Sequence, residues 1–448
     1  MKAIIPDFNL NAARPIYLQL YDYIKSDILT GSMSCGEKLP SLRQLAESLS
    51  ISITTVSQSY NQLAVEGYIE PRPNSGYYIK DIGKIPTTDT DRTIYAYETH
   101  VHMPGNHVYD LSCFDFNKWK KCSNRVFTEF SHLLMFEGDP QGEEPLRYEI
   151  SRYVFNSRGV VCSPDQIVIG AGTQQITIQL TRILNEMGIS HAAMEEPGYM
   201  PVRNIFRDNG FVITPVPVRS DGICIEKLPD NIRSVAYVSP SNQFPTGAVM
   251  PIGRRRELLE WAYRNDSIII EDDYDSELRY FGRPVPAMQG IDGGSCVVYL
   301  GSFSSTLFPS IKISYMVLPG KMADIFQQIK SNYTQTCSKA EQLTLALFME
   351  NGMYQTNIKK LRNLYSHKLQ KTLTAISDYG GDSVRAVNTS SGINVILETG
   401  SAALAQKLCA GAGEMGLDVQ RSGESTIIFY YSRIPLEKLE NLIAEWLN

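Results

Sequence analysis

The chain has 448 residues, which is too long for one small core and predicts two or three domains. Hydrophobic residues make up 43% and charged residues 20%, an ordinary balance for a globular protein, and no apolar run approaches the length of about 20 residues that a membrane span needs. The net charge of −6 excludes DNA binding through a bulk basic field, so any DNA contact must come from local placement of charge.

The eight cysteines are scattered without a CxxC pair, which indicates reduced thiols and neither a disulfide framework nor a zinc site. His100, His102 and His107 lie close together, but in a stretch of loop character, so we predict no metal site. The first residues lack the apolar region of a signal peptide. We therefore expect a cytoplasmic protein that does not contact a membrane.

Two helices are predicted near the start of the chain. Residues 15–31 begin with a proline and end with a glycine, and the spacing of their apolar residues predicts an amphipathic helix. A second helix opens at Ser41, whose hydroxyl is predicted to form a capping box with Gln44. The apolar positions of the first helix recur at steps of four, at Ile16, Leu20, Ile24 and Ile28.

A third helix, from about Thr54 to Val65, follows after a tight turn and is predicted to bury Val56, Tyr60 and Leu63. The stretch "YIEPRPNSGYYIK" then predicts two strands around a Pro-Asn-Ser-Gly turn. Three helices followed by a two-stranded wing are typical of a winged helix-turn-helix domain.

The stretch "PIYLQLYDYIKSDILTGSMSCGEKLPSLRQLAESLSISITTVSQSYNQLAVEGYIEPRPNSGYYI" resembles the DNA-binding domain of GntR-type bacterial regulators along its whole length. Hydroxyls and N–H groups at a helix start suit phosphate oxygens, and arginine can fork to a phosphate or a guanine. One departure is Ile53, where the family commonly has arginine. The resemblance implies DNA contacts by Lys38, Arg43, Ser52, Thr54, Thr55, Ser57, Gln58, Arg72, Ser75 and Gly76.

The remaining chain divides into a linker and a large domain. Residues 81–108 have weak periodicity and several Thr, Asp, Pro and Gly, so we predict residues 1–80 as the DNA-binding domain and 81–108 as a linker. Residues 109–448 alternate helices with short apolar strands, which predicts a mostly parallel α/β sheet with a ligand site at the strand carboxyl ends. Polar clusters such as "GAGTQQ", "EDDYD" and "GSFSS" follow these strands.

The segments "MFEGDPQGEEPLRYEISRYVFNSRGVVCSPDQIVIGAGTQQ", "EEPGYMPVRNIF", "SPSNQFPTGAVMPIGRRRELLEWA" and "IIIEDDYDSELRYFGRPVPAMQGID" resemble fold-type I aminotransferases, which use pyridoxal phosphate. The combination with the winged helix resembles the MocR subgroup of GntR regulators. The resemblance implies a fold-type I domain with a smaller C-terminal α+β subdomain. It also implies a homodimer in which each winged helix rests on the partner's large domain.

What the resemblance implies for the pyridoxal phosphate site can be stated residue by residue. Asp272 would pair with the pyridine nitrogen, and Tyr274 would donate to the phenolic oxygen of the ring. Tyr199 would stack on the ring, and Asn242 would lie near its edge. The phosphate would contact Gly172, Thr173, Gln174, Ser302, Ser304 and Lys312.

Several departures from the family pattern bear on catalysis. The lysine that forms the Schiff base should stand in "SFSKT", and this chain has Ser305 there. Asn242 replaces the family's usual histidine, and Lys312 replaces its phosphate-binding arginine. The arginine that holds a substrate carboxylate should precede the last strand, where alignment puts Ile427; Arg433 lies six residues later. Because serine supplies neither the amine nor the base, we expect no transaminase activity.

Three hypotheses follow. The first is a DNA-binding regulator that senses pyridoxal phosphate, an adduct of it, or a ligand related to an amino acid or amine, without a covalent bond. The second is a regulator whose large domain binds another small molecule or only dimerises. The third is an active aminotransferase, which Ser305 disfavours. In the first two, a dimer would present its recognition helices to operator half-sites about one helical turn (~34 Å) or a multiple apart.

Overall fold

The chain forms two compact units, Met1–Val101 and His102–Asn448. The predicted linker over 81–108 lies outside the described residues except for Asp81 and Ile82, and so do the three clustered histidines. No helix in the described ranges is both long and apolar enough for a membrane span. The computed structural model describes residues 4, 6, 8, 14–73, 75–82, 110–280, 285–387, 389 and 392–448.

The N-terminal unit has three helices followed by an antiparallel two-stranded wing, as predicted. Leu20 and Ile24 of the first helix pack against Val56, Tyr60 and Leu63 of the third in one buried core. This packing confirms the predicted buried face of the third helix. The elements are α1 (Ile16–Leu29), α2 (Leu42–Leu49), α3 (Ile53–Val65), β1 (Ile69–Arg72) and β2 (Gly76–Ile79).

Side-chain caps fix where α2 and α3 begin. The Ser41 hydroxyl accepts from the Gln44 N–H at 3.3 Å while Gln44 Oε1 accepts from the Ser41 N–H at 3.1 Å, which confirms the predicted capping box. Ser52 caps α3 by accepting from the Thr55 N–H at 3.0 Å. Helix α3 therefore begins at Ile53, one residue before the predicted start.

The large unit is built on one eight-stranded mixed sheet flanked by helices. The strands are β3 (Ile167–Ala171), β4 (His191–Glu196), β5 (Val212–Arg219), β6 (Gly222–Ile223), β7 (Val235–Val238), β8 (Ile268–Asp273), β9 (Val297–Ser302) and β10 (Ile313–Val317). Their spatial order is β3-β10-β9-β8-β7-β4-β5-β6. The helices are α4 (Phe116–Glu129), α5 (Glu144–Arg158), α6 (Thr173–Glu186), α7 (Met200–Asp208), α8 (Ile252–Arg264), α9 (Met288–Asp292), α10 (Gly320–Ile329), α11 (Lys339–Glu350) and α12 (Met353–Tyr379).

Strand direction decides where a ligand site can form. β9, β8, β7, β4 and β5 pair in parallel, so their carboxyl ends open on one edge of the sheet. β10 lies antiparallel between β9 and β3, which brings the carboxyl end of β3 and the amino end of β10 to the same edge. The sheet is thus mixed and mostly parallel, which confirms the predicted architecture.

A smaller antiparallel sheet forms the end of the chain. β11 (Val384–Val387), β12 (Val395–Thr399), β13 (Val419–Arg421) and β14 (Thr426–Phe429) are arranged in the order β11-β12-β14-β13. The helices α13 (Ala402–Glu414) and α14 (Leu439–Leu447) pack with this sheet around a third core. This part is the predicted C-terminal α+β subdomain.

Candidate functional site

A cavity of about 710 Å³ opens at the edge where the carboxyl ends of the parallel strands meet. Every residue predicted for the cofactor site lines this cavity except Asn242. The lining residues are Ala171, Gly172, Thr173, Gln174, Gly198, Tyr199, Met200, Pro201, Ser239, Phe244, Asp272, Tyr274, Ser302, Ser304, Ser305, Lys312, Ser314, Ile393, Asn394, Gln420 and Tyr430.

One part of the cavity has the chemistry of a phosphate site. The helix α6 begins at Thr173, directly after Gly172, whose φ of +86° is a conformation that favours glycine. Ser302 ends β9, and its hydroxyl accepts from the Ser314 hydroxyl at 3.0 Å. Lys312 is the sole cation among the described lining residues. Hydroxyls, helix N–H groups and one ammonium together suit a phosphate dianion.

Asp272, at the end of β8, supplies a buried carboxylate to the same cavity. Burial raises its pKa to about 6, although the hydrogen bond from the Tyr237 hydroxyl lowers it, and the neighbouring charge of Asp273 raises it further. Above that pH the group is ionised and suits a protonated ring nitrogen.

Tyr199, at the start of α7, is 39% exposed and places an aromatic ring beside this carboxylate-bearing cavity. Its ring meets that of Phe244 edge to face, with centroids 6.5 Å apart. Together with the phosphate-like part and Asp272, this donor set fits a phosphorylated aromatic compound that carries a basic ring nitrogen.

Ser305 lines the cavity and contributes a hydroxyl to its wall. Lys312 lines the same cavity, so the site keeps an ammonium seven positions further along the chain. Lys312 stands in the left-handed region, with φ of +49°, immediately before β10. The pocket therefore offers a cation, Lys312, to an anionic ligand.

Asn242, which was predicted to lie near the edge of the ring, is not among the residues that line the cavity. It is buried behind Tyr274: its Nδ2 donates to Asp275 Oδ2 at 2.7 Å and to the Tyr274 hydroxyl at 3.4 Å. Phe244, two residues later, lines the cavity instead. Asn242 can thus orient Tyr274 without forming part of the cavity wall.

Four lining residues come from the C-terminal sheet and were not predicted. Ile393 and Asn394 precede β12, Gln420 lies in β13 and Tyr430 follows β14. Nothing in their local sequence marks them, since they reach the cavity only through tertiary packing. The predicted carboxylate position, Ile427, lies within β14 and is fully buried in the C-terminal core, so it does not face the cavity.

Arg433, the other position that the sequence suggested for binding a carboxylate, contacts other residues of the C-terminal subdomain. It forms an ion pair with Asp418, and its guanidinium lies 5.4 Å from the centre of the Tyr430 ring. It does not line the cavity. Neither candidate position thus supplies a cation to the pocket.

The predicted DNA contacts all lie in the N-terminal unit. Arg43 on α2 is exposed, and Ile53, at the first position of α3, is 49% exposed. Arg72 in the wing is exposed; it pairs with Glu70 at 2.7 Å and lies 4.3 Å from the centre of the Tyr78 ring. Of the other predicted contacts, four are exposed: Lys38, Ser52, Thr54 and Gln58. The remaining four are half-buried: Thr55, Ser57, Ser75 and Gly76.

Comparisons with known proteins match both units. Residues 16–79 match the family described as "Bacterial regulatory proteins, gntR family", and residues 108–411 match "Aminotransferase class I and II". The HTH-type transcriptional regulator YdeL of Bacillus subtilis is 42% identical over 88% of this chain and 86% of its own length. The chain belongs to the GntR-type regulators that carry an aminotransferase-like domain.

Other members of this regulator family are similar over most of the chain. The probable rhizopine catabolism regulatory protein MocR of Rhizobium meliloti is 34% identical over 81% of this chain and 77% of its own. The pyridoxine biosynthesis regulator PdxR of Corynebacterium glutamicum is 29% identical over 87% and 84%.

Solved aminotransferases share the fold of the large unit. LysN of Thermus thermophilus, an α-aminoadipate aminotransferase complexed with N-(5'-phosphopyridoxyl)-L-leucine, has a TM-score of 0.65 and 22% identity, covering 76% of this chain and 89% of its own. The kynurenine aminotransferase of Pyrococcus horikoshii has a TM-score of 0.65 at 22% identity, over 76% and 88%. These likenesses confirm the fold-type I architecture.

Glu195 is a buried carboxyl beneath the pocket of this regulator that the sequence did not single out. Its Oε2 accepts from the Ser239 N–H at 3.3 Å and from Gln243 Nε2 at 3.2 Å, while Oε1 has no hydrogen-bond partner within the described ranges. Burial raises its pKa to about 8, and these hydrogen bonds lower it only in part. Because Ser239 lines the cavity, Glu195 supports one of its walls.

The raised pKa of Glu195 predicts a pH-dependent contribution to stability. Between its ordinary pKa of 4.5 and about 8, the folded carboxyl keeps a proton that the unfolded chain releases. This group therefore lowers the free energy of unfolding as pH rises, by at most about 1.4 kcal/mol per pH unit. In Glu195→Gln this component is absent, so the variant gains stability relative to the wild type as pH rises towards 8.

Urea unfolding of both proteins at several pH values across that window measures this difference. The matched control is Glu398→Gln, which removes a carboxyl from an exposed position of β12. A stability difference that grows equally in both variants would contradict the assignment to Glu195.

Proposed function

We propose that this regulator binds operator DNA through its winged helix and uses its aminotransferase-like unit to sense pyridoxal phosphate, or a close derivative, without a covalent bond. The proposal rests on the side chains that line one cavity. Lys312, Asp272 and Tyr199 line it together with Ser305. The groups that would hold the cofactor are present, and the group that would bond to it is replaced.

Each part of the ligand has a counterpart in the cavity. Lys312, Ser302 and the start of α6 at Thr173 would hold the phosphate. Asp272 would hold the protonated ring nitrogen, and Tyr199 would pack on the ring face. These contacts would orient the ligand through charge and hydrogen bonds alone. Because no covalent bond forms, the fraction of protein with bound ligand would depend on the free ligand concentration.

Catalysis is not part of this proposal. Pyridoxal phosphate, when bound, supplies an electron sink for amino-acid chemistry. The protein must still supply an amine and a proton acceptor, and such acid–base groups contribute about 10²- to 10⁴-fold in rate. The Ser305 hydroxyl replaces neither. We therefore propose that the large unit acts as a ligand-binding domain, in a chain whose relatives MocR and PdxR are regulators.

The DNA half of the proposal rests on the exposed face of the N-terminal unit. The capped start of α3 at Ser52 and the exposed Arg43 present hydroxyl, N–H and guanidinium groups on one small domain. Two copies of the chain would bring two such helices to paired half-sites. Ligand binding would change operator affinity by as much as its affinity differs between the two conformations of the dimer.

Restoring the lysine tests the noncovalent part. We expect Ser305→Lys, incubated with pyridoxal phosphate and then reduced with borohydride, to keep a phosphopyridoxyl group on that residue, because an amine at this wall of the cavity meets the ligand aldehyde. Mass spectrometry of the intact protein and of its peptides measures the attachment.

Wild-type protein and Ser305→Ala are the matched controls, and we expect both to lose the ligand on dialysis. Stoichiometric attachment to Lys312 in the wild-type protein would contradict the proposal, because Lys312 would then have taken over the role of the missing amine.

Removing one predicted phosphate contact tests the DNA part. We expect Arg43→Ala to weaken binding to duplexes selected from a random-sequence library and to lower the slope of log affinity against log salt by about 0.9. Fluorescence anisotropy at several salt concentrations measures both quantities.

The matched control is Arg385→Ala, which removes an exposed arginine from β11 in the C-terminal subdomain. Equal affinities and equal salt slopes for Arg43→Ala and the wild type would show that α2 does not contact the phosphates.

A further inference from the structure

We propose that the pocket selects phosphopyridoxyl ligands that carry no carboxylate, and so discriminates against adducts of amino acids. The ligand class would be pyridoxal or pyridoxamine phosphate or an adduct with a simple amine. This inference rests on the proposed function, since it concerns the specificity of the same cavity.

The charges that line the cavity carry the inference. Among the described lining residues, Lys312 is the sole cation and Asp272 the sole carboxylate. A phosphate beside Ser302 and α6 would engage the Lys312 ammonium, and a ring nitrogen would engage Asp272. A second anionic group on the ligand would then have no cation left to pair with.

The wall formed by the C-terminal sheet is where side groups of the ligand would find new partners, and this wall is uncharged. Ile393 and Tyr430 supply largely apolar surface, and Asn394 and Gln420 supply neutral amides. An alkyl group packs well on such a surface. A carboxylate would lose its hydration there and gain only uncharged partners, which costs free energy. The wall therefore favours a ligand whose substituent is apolar.

The nearby arginines of this subdomain are held away from the cavity. Arg433 pairs with Asp418 and stacks on the Tyr430 ring. Arg421, next to Gln420 in β13, donates to the carbonyl oxygens of Gly423 and Glu424, each at 2.9 Å. Recruiting either guanidinium to a ligand carboxylate would break contacts that it already makes.

Asp272 adds a repulsive contribution. Its carboxylate lies at the cavity wall and is 7% exposed, so its charge is only weakly screened by water. A ligand carboxylate in the same cavity would approach this negative charge, which the protonated ring nitrogen offsets in part, with no further cation among the described lining residues to pair with. Both effects weaken binding of the amino-acid adduct relative to the amine adduct.

Two stable compounds test this selectivity directly. N-(5'-phosphopyridoxyl)-L-leucine, the compound in the LysN complex, and N-(5'-phosphopyridoxyl)-isopentylamine differ only by the carboxylate. We expect isothermal titration of the full-length protein to show the leucine compound binding about tenfold or more weakly than the isopentylamine compound.

A gain-of-function variant sharpens the test. We expect Gln420→Arg, which adds a cation to an exposed lining position, to narrow or reverse the difference between the two compounds. The matched variant Gln420→Leu adds no charge, and we expect it not to narrow the difference.

The outcomes separate this inference from the proposed function. Equal affinities, or tighter binding of the leucine compound, would overturn the inference and leave noncovalent sensing intact. If neither compound nor pyridoxal phosphate bound, the sensing part of the proposed function would fail and the inference with it. Preference for the amine compound, lost in Gln420→Arg, supports both.

Discussion

The direction of five strands is the constraint on which the pocket depends. Because β9, β8, β7, β4 and β5 run in parallel, residues that follow separate strands meet at one edge of the sheet. Asp272 lies one residue before the end of β8 and Ser302 ends the neighbouring β9, and the antiparallel β10 begins directly after Lys312 at the same edge. The sheet and the connection between β9 and β10 thereby place a carboxylate, hydroxyls and an ammonium around one cavity.

This arrangement separates ligand binding from catalysis. Binding uses groups spread over several strand ends, so replacing one side chain leaves most of the contacts in place. In the proposed function, covalent chemistry would depend on one amine, and Ser305, which lines the cavity at the expected position, would not supply it. A scaffold shared with aminotransferases can therefore serve a DNA-binding regulator, since its sheet still forms a pocket suited to a phosphorylated ring.

Much of this could be predicted from sequence because the signals are local. The capping box at Ser41 and the spacing of apolar residues in α3 depend on neighbours along the chain. The polar residues after each strand also follow from a local pattern. The contribution of Gln420 and Tyr430 could not be predicted, because a separate sheet brings them to the cavity. Nor could the buried position of Asn242, which depends on how its loop folds behind Tyr274.

The central claim is that reversible occupation of the pocket controls DNA binding, and a coupled titration tests it most directly. The affinity for a selected duplex would be measured by anisotropy while pyridoxal phosphate is added and then removed by dialysis. We expect the affinity to shift several-fold (about 1 kcal/mol), to return after dialysis, and to shift much less in Lys312→Ala. A DNA affinity that does not change at saturating pyridoxal phosphate, or a shift that survives dialysis, would contradict it.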